Sequence, residues 1–182
     1  MRVLVLSCSL NPESRSAQLA EHAAEVIREM DAAVELLDLR RHDLPLCDGT
    51  TACPAAGRLA EAIERADAVL LAVPVYNYDA NAAVKNLIEF TGRAWTEKLV
   101  GFLCAAGGQG SYMALMSLAN SLMLDFRCLI VPRFVFATGE AFPEQGEIAS
   151  DVAERIKQLA GELVRLGTAL ASAEPPVRQS PA

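Results

Sequence analysis

The run Ala68-Val69-Leu70-Leu71-Ala72-Val73, apolar without alternation between Asp67 and Pro74, constrains this chain more than any other segment. A strand with one wet face alternates polar and apolar residues. An unbroken apolar strand is therefore covered on both faces, as central strands of parallel sheets are. Four further β-rich stretches accompany it: Val3-Leu4-Val5-Leu6, Val34-Glu35-Leu36-Leu37-Asp38, residues 99–105 and residues 128–137. Pro132 interrupts the last of these. It cannot donate to a ladder, so that strand belongs at an edge or carries a bulge.

Helical patterns separate the strands. Leu19, Ala20, Ala23, Val26, Ile27 and Met30 recur at three and four, with an end near Met30, and Leu59, Ile63 and Ala66 repeat the pattern. Val84, Leu87, Ile88 and Thr91 form a third face closed by Gly92, and Leu115, Leu118, Ala119 and Leu122 a fourth. The last runs through Ile148, Val152, Ile156, Leu159, Leu163, Leu166 and Leu170. Five strands each followed by a helix require parallel pairing through right-handed crossovers, hence an α/β three-layer sandwich. Five strands favour the order 2-1-3-4-5, whose ligand crevice lies at the carboxyl ends of strands 1 and 3. With 182 residues the chain makes one domain, expected over 1–172, and the aperiodic 173–182 (AEPPVRQSPA) is expected to be a frayed tail.

Composition narrows the partners. Sixteen Lys and Arg against 23 Asp and Glu give a net charge of −7, which argues against nucleic acid or an anionic membrane as partner. Five cysteines, with no C-x-x-C pair, and two separated histidines suggest reduced thiols and no metal site. The apolar run in MRVLVLSCSL is too short for a signal core or a membrane span, so cytoplasmic residence is expected.

Three loops leave carboxyl ends of adjacent strands. The first, Ser9-Leu10-Asn11-Pro12-Glu13-Ser14-Arg15-Ser16, leads into helix 1 with three hydroxyls and a cation at a helix N-terminus. Such a terminus offers free N–H groups to an anion, and a cation there is unfavourable by roughly 0.3–1 kcal/mol unless an anion sits beside it. The same residues also suit a plain serine cap with Arg15 in solvent. Glycines and a G-K-[ST] ending are missing, so the loop is not a nucleotide triphosphate loop. The second loop, Pro74-Val75-Tyr76-Asn77-Tyr78-Asp79, puts aromatic and amide groups where a flat heterocycle would lie, or is simply a proline-initiated turn with Asn77 left-handed. The third, Ala106-Gly107-Gly108-Gln109-Gly110, lets backbone approach a ligand closely or makes a tight turn. No G-x-G-x-x-G fingerprint occurs. A phosphate cradle beside a planar-ring platform is the layout a flat-headed mononucleotide requires, and FMN meets that description.

On these residues the chain resembles the NADPH-dependent FMN reductases of the flavodoxin-like superfamily, which include flavin, chromate, quinone and azo-dye reductases. Ser9 and Ser14-Arg15-Ser16 resemble the family's phosphate loop. Pro74-Val75-Tyr76-Asn77-Tyr78 with Lys85-Asn86 resembles its P-x-Y-N…K-N motif, and Gly107-Gly108-Gln109-Gly110 its glycine loop. Departures from the family lie at Cys8, often glycine, near Asn81 or Ala82, often proline, and at Ala105 or Ala106, where a serine is common. The resemblance covers roughly 1–170 and implies a flavodoxin-like fold, FMN as cofactor, NADH or NADPH as donor, and a homodimer or homotetramer. The candidate cofactor-binding set is Ser9, Ser14, Arg15, Ser16, Ala17, Gln18, Pro74, Val75, Tyr76, Asn77, Tyr78, Ala106, Gly107, Gly108, Gln109 and Gly110. No side chain is assigned as a catalytic acid or base, because the flavin carries the chemistry. Arg93, Arg127 and Arg133 are candidates for a donor's 2′-phosphate, and Trp95 or Tyr112 for the flavin wall, with ordinary core the alternative. The rival functions are a flavodoxin-type electron carrier without its own NAD(P)H activity and a flavin-free α/β module that binds a phosphorylated metabolite or acts as an interaction domain.

Overall fold

The unbroken apolar run lies in the third strand of the computed structural model, which describes residues 1–144 and 147–172. This strand, β3 (Ala68–Tyr76), is flanked by two parallel neighbours, β1 (Arg2–Ser7) and β5 (Leu99–Ala105), with Leu70 facing Val5 on one side and Gly101 on the other. β2 (Ala33–Asp38) extends the sheet beyond β1, and a short hairpin strand, β4 (Asp79–Ala80), turns back on β3. β6 (Leu129–Ile130) and β7 (Val135–Ala137) both pair with the outer side of β5. The sheet order is β2-β1-β3-β5 with β6 and β7 outermost; leaving out the hairpin strand β4 and counting β6 and β7 as the single fifth strand expected from sequence, this is 2-1-3-4-5.

That fifth strand is split, and the reason is visible in its register. Leu99 faces Leu129 but Leu103 faces Val135, so the outer strand spends two more residues than β5 over the same stretch. The surplus falls around Pro132, which has no N–H to pair. The strand is therefore at an edge and also interrupted.

Side chains alternate across the sheet as the period of two demands. Leu4, Leu6, Val69, Leu71 and Val73 pack with α2 (Pro54–Arg65), α3 (Ala82–Thr91) and α4 (Met116–Phe126). Val3, Val5, Ala68, Leu70 and Ala72 pack on the other face with α1 (Arg15–Arg28) and α5 (Ser150–Ser172). The three expected layers are present. Close packing of α5 relies on Gly101, where an added Cβ would stand 3.0 Å from Leu70 and 3.4 Å from Leu159.

The stretch 74–81 differs from a plain loop. β3 runs on to Tyr76, and Asn77 (φ 51°) and Tyr78 (φ 64°) form a two-residue turn with both residues left-handed, pairing Val75 with Ala80 and Tyr76 with Asp79. Left-handed twist at both corners is what lets a two-residue turn match the twist of its strands. Asparagine suits such a corner, whereas tyrosine is strained there by of order 1–3 kcal/mol. The tail 173–182 lies outside the described residues.

Candidate functional site

The first wall of the site is the N-terminus of α1. Ser14 is extended and buried, and its Oγ accepts from the Ala17 N–H (3.2 Å), the bond of a helix cap. Ser14 Oγ also lies 2.9 Å from Ser16 Oγ. That contact uses one of the two hydroxyl protons and leaves the other to donate outward. The N–H groups of Arg15 and Ser16 have no acceptor among the described residues, and the first turn holds no acidic residue. Arg15 itself forms no ion pair among the described residues; its guanidinium lies over the Phe142 ring, 5.5 Å from the centroid. Two N–H groups, a spare hydroxyl proton and a guanidinium thus converge, and all are donors. This donor set fits a phosphate.

Two cavities open beside this terminus and share Val75, Tyr76 and Gly107. The phosphate-side cavity, about 520 Å³, is lined by Asn11, Glu13, Ser14, Arg15, Ser16, Pro74 and Ala105–Gly107 besides the shared residues. The ring-side cavity, about 530 Å³, adds Asn77, Tyr78, Gly108, Gly110 and Ser111. Each is within the usual range for a small-molecule site, roughly 300–1,000 Å³. A Cβ added at Gly107 or Gly108 would meet no atom of the described residues within 4 Å, so the glycines leave space where a ring can approach backbone. Tyr78 closes the far side, its hydroxyl 3.4 Å from where a Cβ of Gly110 would be. Tyr76 and Tyr78 are both mostly exposed, which fits a ring platform better than core.

Four of the sequence-derived candidates stand off these walls. Ser9 is buried, and its Oγ accepts from the Asn11 N–H (3.2 Å), so it shapes the loop. Ala17 is buried behind the cap, and Gln18 lines a neighbouring space with Glu13, Arg15 and Phe142. Gln109 opens the short turn Gln109–Ser111. Trp95 is core, its Nε1 donating to Thr91 Oγ1 (2.7 Å), and Tyr112 packs on Phe134 and Phe136 with centroids 5.0 and 5.3 Å away. Lys85 pairs with Glu89 on the same helix. Asn86 clamps a distant loop, accepting from the Cys47 N–H and donating to the Pro45 carbonyl, both at 2.8 Å. Arg127 lies by Glu97 (3.7 Å), and Arg133 donates to Gln158 (2.7 Å).

Other residues support the site without a sequence signal. Asn81, buried, donates from Nδ2 to the Cys8 carbonyl (2.8 Å) and from its backbone N–H to the Pro74 carbonyl (3.2 Å), tying the first two loops together. Its Oδ1 is buried without a hydrogen-bond partner among the described residues. Arg40 reaches the first loop from the end of β2, donating to the Pro12 carbonyl (2.9 Å). Burial alone would raise the Asp38 carboxyl's pKa, but hydrogen bonds from Arg40 and the charges of Arg40 and Arg41 outweigh it and hold it below its ordinary value. Cys8 and Cys104 sit under the site fully desolvated, which pushes both thiols far up and keeps them protonated. Among the described residues no cluster of three or more His, Cys, Asp or Glu is placed to hold a metal, and no helix is long and apolar enough to cross a membrane.

Comparison with known proteins adds ancestry to this geometry. Residues 1–143 match the family model described as NADPH-dependent FMN reductase. The chain is 27% identical over 160 residues to an NAD(P)H-dependent FAD/FMN reductase of Geobacillus thermodenitrificans, covering 85% of each. It is 31% identical over 184 residues to an FMN-dependent NADH:quinone oxidoreductase of Bordetella petrii, covering 81% of this chain and 87% of the relative. Among solved structures, the flavoenzyme NAD(P)H:(acceptor) oxidoreductase FerB from Paracoccus denitrificans superposes with a TM-score of 0.76 at 23% identity, over 92% of this chain and 97% of its own, a likeness of fold.

Proposed function

Because the chain belongs to the NADPH-dependent FMN reductase family, we infer that it is an NAD(P)H-dependent, FMN-binding oxidoreductase whose flavin lies across the three loops. The observation that carries this reading is that the two cavities share Val75, Tyr76 and Gly107 in their walls, which sets a donor-rich helix terminus beside a glycine- and tyrosine-lined shelf. Bound FMN supplies hydride acceptance from a nicotinamide at N5 and delivery to a second acceptor.

The chain's own part is to bind and orient. Ser14, Arg15, Ser16 and the first-turn N–H groups hold the phosphate. Pro74 to Tyr78 and Ala106, Gly107, Gly108 and Gly110 present backbone and ring faces to the heterocycle, with Ser9, Ala17, Gln18 and Gln109 shaping those segments. The openness of the ring-side cavity leaves room for a donor and then an acceptor in turn, the acceptor being a free flavin, quinone, azo compound or metal oxyanion. Exposed Tyr112, Met113 and Met116 beside the glycine loop support assembly with a second copy, as a homodimer or homotetramer. Five unpaired cysteines support residence in the reducing cytoplasm.

The test is direct. The purified chain is titrated with FMN, its visible spectrum recorded, and oxidation of NADH and of NADPH followed at a single wavelength with and without a quinone. Flavin binding with rapid nicotinamide oxidation is the expected result. Flavin binding without that oxidation would make the protein an electron carrier, and no flavin binding would sink the reading.

A further inference from the structure

Asp38 ends β2 opposite Ser7 of β1, and one turn later Arg40 folds back on it. The Asp38 carboxylate accepts from the Arg40 backbone N–H (3.0 Å) and from its Nε (3.0 and 2.8 Å to the two oxygens). These bonds aim the guanidinium, and Nη1 then donates across to the Pro12 carbonyl at 2.9 Å, with a longer 3.5 Å contact to the Asn11 carbonyl. Pro12 has no N–H, so its carbonyl is its one polar handle. Within the loop, the Asn11 N–H donates to Ser9 Oγ (3.2 Å) and the Glu13 N–H to Asn11 Oδ1 (3.0 Å). Asn11, Glu13 and Ser14 line the phosphate-side cavity, while Arg40 is not on its wall.

We propose that Arg40, aimed by Asp38, is a positioning residue for phosphate recognition: it grips the backbone at Asn11 and Pro12 from outside and holds the loop in the shape that presents the α1 terminus. This rests on the reading that the terminus binds the FMN phosphate. A loop that samples other shapes binds with its intrinsic affinity reduced by the fraction of time it is competent. The Lys side chain keeps the charge but cannot donate to Asp38 and Pro12 at once from a rigid fork.

The experiment compares the full-length protein with Arg40→Lys and Arg40→Met. Dissociation constants for FMN and for riboflavin are measured by flavin fluorescence on the same preparation, so their ratio does not depend on the folded fraction. Hydrogen exchange of 10–14 is followed without ligand. The expected result is that the parent prefers FMN, and that both variants lose about tenfold in FMN affinity while riboflavin changes by less than about twofold, with faster exchange in the loop. Parent-like FMN affinity in Arg40→Lys overturns the proposal, because charge alone or no role would then suffice. A parallel loss for both ligands overturns it too, as a general loss of structure. A parent that shows no preference for FMN refutes the phosphate reading itself, before any variant is considered, and the proposal with it.

Discussion

Replacing Arg15 by alanine separates what the protein needs for folding from what it needs for a phosphate. Arg15 opens α1, where a cation costs about 0.3–1 kcal/mol. Against that stands the contact with the Phe142 face, at 5.5 Å, worth about 0.5–1 kcal/mol for an exposed pair. The two nearly cancel, so the flavin-free variant should melt within about 4 °C of the parent, the shift that ~1 kcal/mol produces in a domain of this size. A phosphate changes the balance, since Arg15 then makes a hydrogen bond between charged groups worth about 1.5–3 kcal/mol. Its loss should weaken FMN roughly 10- to 150-fold. Riboflavin has the same ring and no phosphate, and its affinity should hardly change. Calorimetric titration of both ligands into both proteins makes the comparison. Equal losses for FMN and riboflavin, or a large drop in flavin-free melting temperature, would refute the assignment of Arg15 to the phosphate.

Three further outcomes are expected. Gly108→Val places its Cβ where no atom of the described residues lies within 4 Å, so the melting temperature should hold while flavin affinity and NAD(P)H oxidation fall; a folded variant with parental binding would remove the ring from this loop. Iodoacetamide on the native protein should label the half-exposed Cys47 and Cys53 and spare Cys8, Cys104 and Cys128, the last with its thiol pushed up to about 11 by burial, and peptide mass spectrometry showing early modification of Cys8 would contradict the packing under the first loop. Asp38 is held below its ordinary value of 3.8, so its charged form stabilises the fold above that pH and the contribution disappears as pH falls through the depressed folded value. The stability gap between the parent and Asp38→Asn, read from urea midpoints, should stay constant from pH 5 to 8, by the same linkage, and shrink only below that range. A gap that changed between pH 6 and 8 would point to a different titrating group.

Local pattern was enough for the architecture, because hydrophobic periodicity records which face of each element is buried and that information lies within a few residues. The apolar run 68–73 specifies a strand covered on both faces, and the carboxyl ends of its neighbours place the three loops on one edge of the sheet. Ser14, Arg15 and Ser16 on one loop and Gly107 and Gly108 on another were readable for the same reason, since a helix start and a glycine cluster are local features. Tertiary structure decided how those loops meet. Tyr78 takes a left-handed corner that no glycine marks, so the hairpin onto β4 has no local signature in the sequence. Pro132 signalled an interruption, but the two-residue surplus that splits β6 from β7 follows from pairing with β5. Arg40 and Asn81 act on carbonyls 28 and 73 residues away, and a bond from a side chain to a distant backbone oxygen requires no particular residue at its receiving end. Nothing in the partner's sequence records such a bond. The fold's layers are therefore written in the chain's periodicity, whereas the shape of the cleft depends on backbone groups that every residue shares and only the folded chain brings together.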